Sequence, residues 1–276
     1  MAPALFRSRS IMLLAAVMLL ISSCASLSST GVGRVKRYVV ESGQLPQAFD
    51  GFRLAFISDI HYPSLFGKKR LPKLVDALSG IGPDMLLLGG DYVTDSDSVD
   101  VLFAALGSLE APYGTYAVLG NHEKGNETAV LRSMAKYGIR ALEDEVCTVE
   151  KDGEAIFVTG VVDSFCEDAG YCPVEFVVEN EFVILLAHTP DYAERVSAPA
   201  DLVLSGHTHG GQVSLFGIYT PVKNSIYGSR FLRGRNVTTA GSTIITTNGV
   251  GTSRKKLRFC VPSEIVVVEL RSLDVE

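Results

Sequence analysis

An α/β fold is predicted by two features of the chain. Short apolar runs bounded by turn residues alternate with stretches of helical periodicity, and a polar motif follows nearly every run. Brief, nearly continuous apolar runs are the mark of strands covered on both faces. Strands that alternate with helices build an α/β arrangement. In such sheets ligands collect beyond the strand ends, so the polar motifs are expected to converge on one edge of the core.

The strand candidates are 54–58, ending at Asp59; 84–88, ending at Gly89-Gly90-Asp91; and 115–119, ending at Gly120-Asn121-His122. Three more follow: 155–159, ending at Gly160; 182–186, just before His188; and 202–204, ending at Ser205-Gly206-His207. Between them the spacing predicts helices. In 69–78, Leu71, Leu74, Val75 and Leu78 fall at i, i+3, i+4 and i+7, and Pro72 is tolerated in a first turn. Leu102, Ala105, Leu106 and Leu109 repeat the spacing in 98–109. A third helix is expected over 126–137, with Asn126 as cap, and a short fourth over 191–196, entered through Pro190. After Ile218 the pattern changes. The strand-like runs 242–247 and 263–270 read as a terminal pair that closes the sheet.

A chain of 276 residues with 47% hydrophobic content has ample material for a core, as one large domain or two small ones. Its net charge of −6 argues against a nucleic-acid binder that works by bulk electrostatics, so no nucleic-acid partner is expected. Basic residues cluster at Lys68-Lys69-Arg70 and Arg254-Lys255-Lys256. These read either as solvated faces or as contacts to anionic lipid or a phosphate-bearing substrate.

Arg7 and Arg9 precede an apolar stretch, 11–21, too short to span a bilayer comfortably and of the size of a secretory signal. Ile21-Ser22-Ser23-Cys24 resembles a bacterial lipobox, which implies cleavage before Cys24 and acylation of its sulfur. The expected organisation is a signal peptide or anchor (1–23), a Ser/Gly-rich tether (24–36) and a catalytic domain (37–276). The membrane surface is then a partner through the N-terminus. An extracytoplasmic lipoprotein is the expected location and an inner-membrane anchor the alternative. Of the remaining cysteines, Cys166 and Cys172 form a plausible disulfide pair, and four reduced thiols are the alternative.

All five histidines fall in these motifs: His61, His122, His188, His207 and His209. Neutral imidazole, carboxylate and amide oxygen are all metal ligands. The set Asp59, His61, Asp91, Asn121, His188, His207 and His209 is too large for one tetrahedral ion. It suits two ions sharing a carboxylate, an arrangement that clamps the oxygens of a displacement at phosphorus. The chain has neither a Gly-x-Ser-x-Gly nucleophile motif nor a phosphate loop ending in Lys-Ser/Thr, so hydrolysis by a metal-bridging hydroxide is the simplest reading.

Asp-x-His, Gly-Asp, Gly-Asn-His-Glu, an isolated His and Gly-His-x-His occur in an order that resembles the calcineurin-like metallophosphoesterases, over roughly residues 50–270. The longer strings 204–212, 249–253 and 258–265 are similar to an exported or membrane-attached bacterial branch, some relatives of which are UDP-2,3-diacylglucosamine pyrophosphatases. The resemblance implies a two-sheet β-sandwich flanked by helices on both outer faces. It implies Asp59, His61 and His209 on the first metal, Asn121, His188 and His207 on the second, and Asp91 bridging. His122 is implied as a non-ligand that stabilises charge or protonates the leaving oxygen. The two divalent ions are manganese, iron or zinc.

The function expected is a dinuclear phosphodiesterase or pyrophosphatase acting on a phosphoester, with a lipid-linked substrate such as UDP-2,3-diacylglucosamine in view. A non-catalytic metal-binding lipoprotein and a phosphomonoesterase are the alternatives. A protein phosphatase is disfavoured, because Lys124 stands where that pattern has Arg. Asp95 is a doubtful partner for His122. Glu123 reads as a supporting residue, Gln212 and Tyr62 as structural or substrate-touching, and the apolar segment 61–67 as a pocket rim.

Overall fold

The computed structural model describes residues 12, 31–162, 164–165, 172–177, 180–196, 198–215 and 217–273. Two six-stranded sheets carry the chain. The first has the order β1 (Arg34–Ser42), β12 (Glu264–Ser272), β2 (Arg53–Ile57), β3 (Met85–Leu88), β4 (Thr115–Ala117) and β5 (Ile139–Ala141). The second has the order β10 (Gly234–Val237), β11 (Thr243–Thr246), β9 (Leu202–Ser205), β8 (Val183–Leu186), β7 (Glu154–Gly160) and β6 (Val146–Lys151). β2 through β5 are parallel neighbours, and so are β7, β8, β9 and β11.

Alternation along each strand explains the continuous apolar runs. Leu54, Phe56 and Leu87 of the first sheet meet Ile184, Leu186 and Leu204 of the second in one buried layer. The intervening Ala55, Ile57, Leu86 and Leu88 face outward. They pack against Leu74 and Leu78 of α1 (Leu71–Ile81), Leu102 and Leu106 of α2 (Val99–Gly107), and Val130 and Met134 of α3 (Glu127–Lys136). On the far side, Val183, Leu185 and Val203 are covered by Tyr192 and Ala193 of α4 (Pro190–Arg195). The result is the four-layer sandwich with helices outside.

Four helices form close to their expected positions. Pro72 lies in the first turn of α1, and Gly82 ends that helix in the left-handed region at φ 57°. Thr189 caps α4 by accepting the Asp191 N–H, with Pro190 in the first turn.

The two terminal runs do not pair with each other. β11 lies beside β9 in the second sheet, whereas β12 inserts between β1 and β2 in the first. Two buried apolar runs look alike in sequence whichever sheet receives them. The crossing between them is what matters for function, because Val250 N–H donates to Ser58 O and Gly251 N–H to Asp59 O. A Cβ on Gly251 would stand 2.1 Å from Ile60 O, so only glycine lets the crossing lie this close behind the Asp59 motif. β1 begins at Arg34, inside the stretch read as tether. Residues 1–11 and 13–30, and with them Cys24, lie outside the described residues, as does Cys166. Cys147 and Cys172 are buried thiols. Among the described residues no helix is long and apolar enough to cross a membrane.

Candidate metal centre

Every motif predicted to carry chemistry sits beyond the C-terminal end of a parallel strand. β2 leads to Asp59 and His61, β3 to Asp91, and β4 to Asn121 and His122. From the second sheet, β8 leads to His188 and β9 to His207 and His209. The two sheets face each other, so the motifs meet at one edge. The backbone turns sharply to bring the side chains inward. Asp59, His61, Asp91, His207 and His209 all adopt positive φ, between 50° and 64°. This left-handed conformation costs non-glycine residues of order 1 kcal/mol or more each and persists where the surroundings enforce it. Five such residues in one site mark a place where side-chain position outweighs backbone comfort. The neighbouring glycines make room. A Cβ on Gly206 would stand 2.4 Å from Asp59 Oδ2, and one on Gly120 2.3 Å from Asp91 Oδ1.

The donor atoms fall into two groups that share one carboxylate. Asp59, His61, Asp91 and His209 offer ligand atoms that all lie within 4.8 Å of one another, and so do Asp91, His188 and His207. Asp91 Oδ2 is 3.5 Å from His61 Nε2 and 3.5 Å from His188 Nε2. His209 Nε2 is 3.3 Å from Asp59 Oδ1 and 3.1 Å from His61 Nε2. Two nitrogens each about 2.1 Å from one ion at right angles stand about 3 Å apart, so the His61–His209 spacing fits a shared cation. One buried nitrogen that faces the shared carboxylate, His188 Nε2, has no hydrogen-bond partner. The residues therefore fit a pair of ions.

The electrostatics agree. Burial pushes His61 and His207 down to about 4, and His209 well below the usual histidine range. All three are neutral imidazoles at pH 7, the form that ligates metal. His188 behaves otherwise. Its burial opposes charge, but Asp91, Asp59 and the Gly89 carbonyl, 2.6 Å from Nδ1, overcome it and raise His188 to about 10. Burial works to raise Asp91 too, yet His188, His61 and His122 hold its carboxyl below the usual range. Burial pushes Asp59 up to about 6, with Asp91 adding to the effect. Two buried carboxylates this close, facing the charges of His188 and Arg258, favour cations, and a bound ion would take the place of the His188 proton and leave its ring neutral to ligate.

His122 stands apart from the other four histidines. Its side chain is 47% exposed. Its backbone N–H donates to Asp91 Oδ1 at 2.9 Å, its ring lies edge-on to His61, and its Nε2 is 4.0 Å from Asp91 Oδ2. It faces solvent beside the donor cluster. Asn121 opens the same turn and lines a cavity of about 280 Å³ with Leu119, Ser164 and Phe165. The Phe165 ring sits edge-on to His207, 4.8 Å between centroids.

Several supporting residues show their partners only in the fold. Glu123 is fully buried. Its Oε2 accepts the N–H groups of Asp91 and Gly120, and its Oε1 that of Tyr92. It thereby ties the β3 loop to the β4 turn. Arg258 is buried behind His209, donating to the carbonyls of His209, Asn248 and Gly251. A charged residue that spends its charge on backbone groups looks like any surface residue until the fold is known. Asp95 is exposed on its loop, and the groups that face His122 are Asp91 and His61. Within segment 61–67, Tyr62 and Phe66 are buried in the outer core, whereas Ser64 is exposed. Gln212 is structural, its amide bonded to Ser253 and Lys255.

A family model described as calcineurin-like phosphoesterase matches residues 52–211. The chain belongs to the calcineurin-like phosphoesterase family. It is 32% identical over 244 residues to the uncharacterized metallophosphoesterase YkuE of Bacillus subtilis, covering 85% of this chain and 84% of that one. It is 33% identical over 235 residues to the phosphodiesterase YaeI of Escherichia coli, covering 79% and 82%. A dimetal phosphatase structure from Danio rerio aligns over 80% of this chain and 99% of its own, at 13% identity and TM-score 0.42. The protein is thus a metal-dependent phosphoesterase, a hydrolase whose buried His/Asp cluster has the donors for two divalent ions.

Proposed function

We propose that this phosphoesterase is a phosphodiesterase or pyrophosphatase held at a membrane surface. Its proposed substrate is a lipid-linked phosphoester, with nucleotide-sugar lipids such as UDP-2,3-diacylglucosamine as the leading class. The observation that carries the hydrolytic reading is the pair of donor groups hinged on Asp91. Asp59, His61 and His209 would hold one ion, Asn121, His188 and His207 the other, and Asp91 both. When bound, such ions neutralise phosphate oxygens and make a water acidic enough to act as nucleophile near neutral pH.

The chain's own residues do the rest. The left-handed turns at Asp59, His61, Asp91, His207 and His209 hold the donors inward before any ligand arrives. His122 lies within reach of the shared carboxylate yet open to solvent, where its ring can donate to a phosphoryl oxygen or to the departing oxygen. Phe165 beside His207 and His188 offers an apolar wall for the group attached to phosphate. The lipid-linked class and the membrane location are supported by the apolar N-terminal stretch followed by Ile21-Ser22-Ser23-Cys24. A lipid-modified Cys24 would keep the domain at the surface of its substrate.

The test is hydrolysis by the full chain loaded with manganese, iron or zinc. The substrates are bis(p-nitrophenyl) phosphate, p-nitrophenyl phosphate and UDP-2,3-diacylglucosamine, with metal content measured alongside. Turnover of the diester or the anhydride with two ions per chain, abolished by a chelator, is expected. Two bound ions without turnover of any phosphoester overturns the catalytic reading, and a preference for the monoester overturns the diesterase reading. Mass spectrometry of the mature N-terminus decides acylation separately.

A further inference from the structure

From Leu202 to Ser263 the chain contains no aspartate or glutamate and eight lysines and arginines, although the whole chain carries −6. Half of these cations point inward or are engaged: Arg230 pairs with Glu194, Arg258 is buried, Arg235 donates to Val39 O, and Arg233 to Gly210 O. The other four, Lys223, Arg254, Lys255 and Lys256, make no ion pair among the described residues. They sit on two loops that Gln212 ties together, accepting the Ser253 N–H at 2.6 Å and donating to Lys255 O at 3.1 Å.

The same loops expose their largest apolar side chains. Ile218 is 90% exposed, Ile226 75%, Tyr219 60% and Leu257 41%. Scattered apolar residues at a surface need no explanation, but bulky aliphatics clustered among unpaired cations do. Aliphatic tips ringed by lysine and arginine fit the headgroup region of an anionic bilayer. The tips enter the acyl boundary, and the cations meet lipid phosphates. A nucleic acid would want a row of stacking aromatics, and the aliphatics here outnumber the one exposed ring, Tyr219.

Two further placements agree on orientation. Both loops follow strands of the second sheet, β9 and β11, at the edge where the metal donors lie. Gly31 and the start of β1 lie at that edge too. β1 starts opposite the start of β12, Arg70 Nε donates to Gly31 O at 2.8 Å, and Arg70 also bonds Val250 O. We infer that the loops bearing Ile218 to Ile226 and Arg254 to Leu257 form a docking surface for anionic lipid bilayers, turning the metal-donor edge toward the membrane. This surface is independent of the phosphoesterase chemistry, and it stands whether or not Cys24 carries lipid.

The experiment is hydrogen exchange on the full chain with nanodiscs, any hold of its N-terminus on the disc being common to every arm. Nanodiscs of phosphatidylcholine alone are compared with nanodiscs that also contain phosphatidylglycerol. Peptides covering Ile218 to Ile226 and Arg254 to Leu257 should exchange at least roughly fivefold more slowly in the anionic discs, about the worth of one cation at such a surface. The variant K223E/R254E/K255E/K256E should lose that protection while amides of β2 and β3 stay as protected as before. Should the four reversals disturb the fold, I218S/I226S tests the apolar half alone and should weaken the protection. Equal exchange in the two lipids, whether slow or fast, overturns the proposal. So does slowing that rises with protein concentration without lipid, which would mean a second copy, or slowing by duplex DNA.

Discussion

The two donor groups that meet at Asp91 are built differently. Asp59, His61 and His209 are sealed, with side chains at most 4% exposed, and Arg258 and the 249–251 crossing close them from behind. The group of His188 and His207 is more open. His207 is only partly buried, Phe165 flanks both rings, and the cavity lined by Asn121 lies alongside. A sealed group holds its ligand by geometry and charge. An open one leaves coordination room for a substrate oxygen. The phosphoester should therefore approach from the Asn121–His207 side, with the Asp59 group as the fixed anchor.

Substitution at the shared carboxylate is the strongest way to break this comparison. Asp91→Asn should cost both groups their common anion, lowering metal content at both and turnover by roughly 10³-fold, since a metal's charge is worth several kcal/mol in such a transition state. Elemental analysis showing one full-occupancy ion would mean that the groups are independent. Next comes the histidine that belongs to neither group. His122→Ala should retain both ions and lose turnover by about 10²-fold, as for removal of a proton donor. Loss of metal in that variant would place His122 among the ligands.

A smaller effect is expected where the groups are held in register. Glu123 accepts three backbone N–H groups from the loops that carry Asp91 and Asn121. Glutamine can accept at only one oxygen, and its amide nitrogen would face backbone donors. Glu123→Gln should lower activity about tenfold, as outer-sphere changes do, and stability by about 2 kcal/mol. Denaturation and kinetics on the same preparation check both. Unchanged kinetics with lowered stability would make Glu123 a support of the fold alone.

Much of this was legible in the chain, and the boundary is physical. The six residues of the donor cluster announce themselves because metal ligands are few in type and each follows an apolar run. Helices α1 and α2 show through the spacing of their apolar residues. Sheet membership does not, since 242–247 and 263–270 are equally apolar and only long-range packing sends one to each sheet. β1, β6 and β10 are outer strands with many exposed residues, so their runs lack the buried signature. Glu123 is marked by its motif, though not its hold on the β3 loop, whereas Arg258 buries a full charge whose partners are backbone groups of distant loops. No local pattern marks such a residue, and the same is true of the Gly251 contact with Ile60.

Proton competition gives the last test, in the chelated protein. Burial lowers His61, from the sealed group, and His207, from the open one, to the same value of about 4, against 6.5 for an ordinary histidine. As pH falls, the unfolded chain takes these protons first. The stability that the neutral rings contribute is full above about 6.5 and is lost progressively down to about 4. Asp59 works against this. Pushed up to about 6 from 3.8, it protonates in the folded state first and favours the fold as pH drops through that range. His209, held well below the usual range, adds to the loss, so three lowered histidines against one raised carboxylate leave a net decline of stability as pH falls from about 6.5 to about 4. His61→Gln and His207→Gln should each flatten the decline by a similar amount despite the different openness of their groups. A slope that neither variant changes would show that other groups govern the acid response.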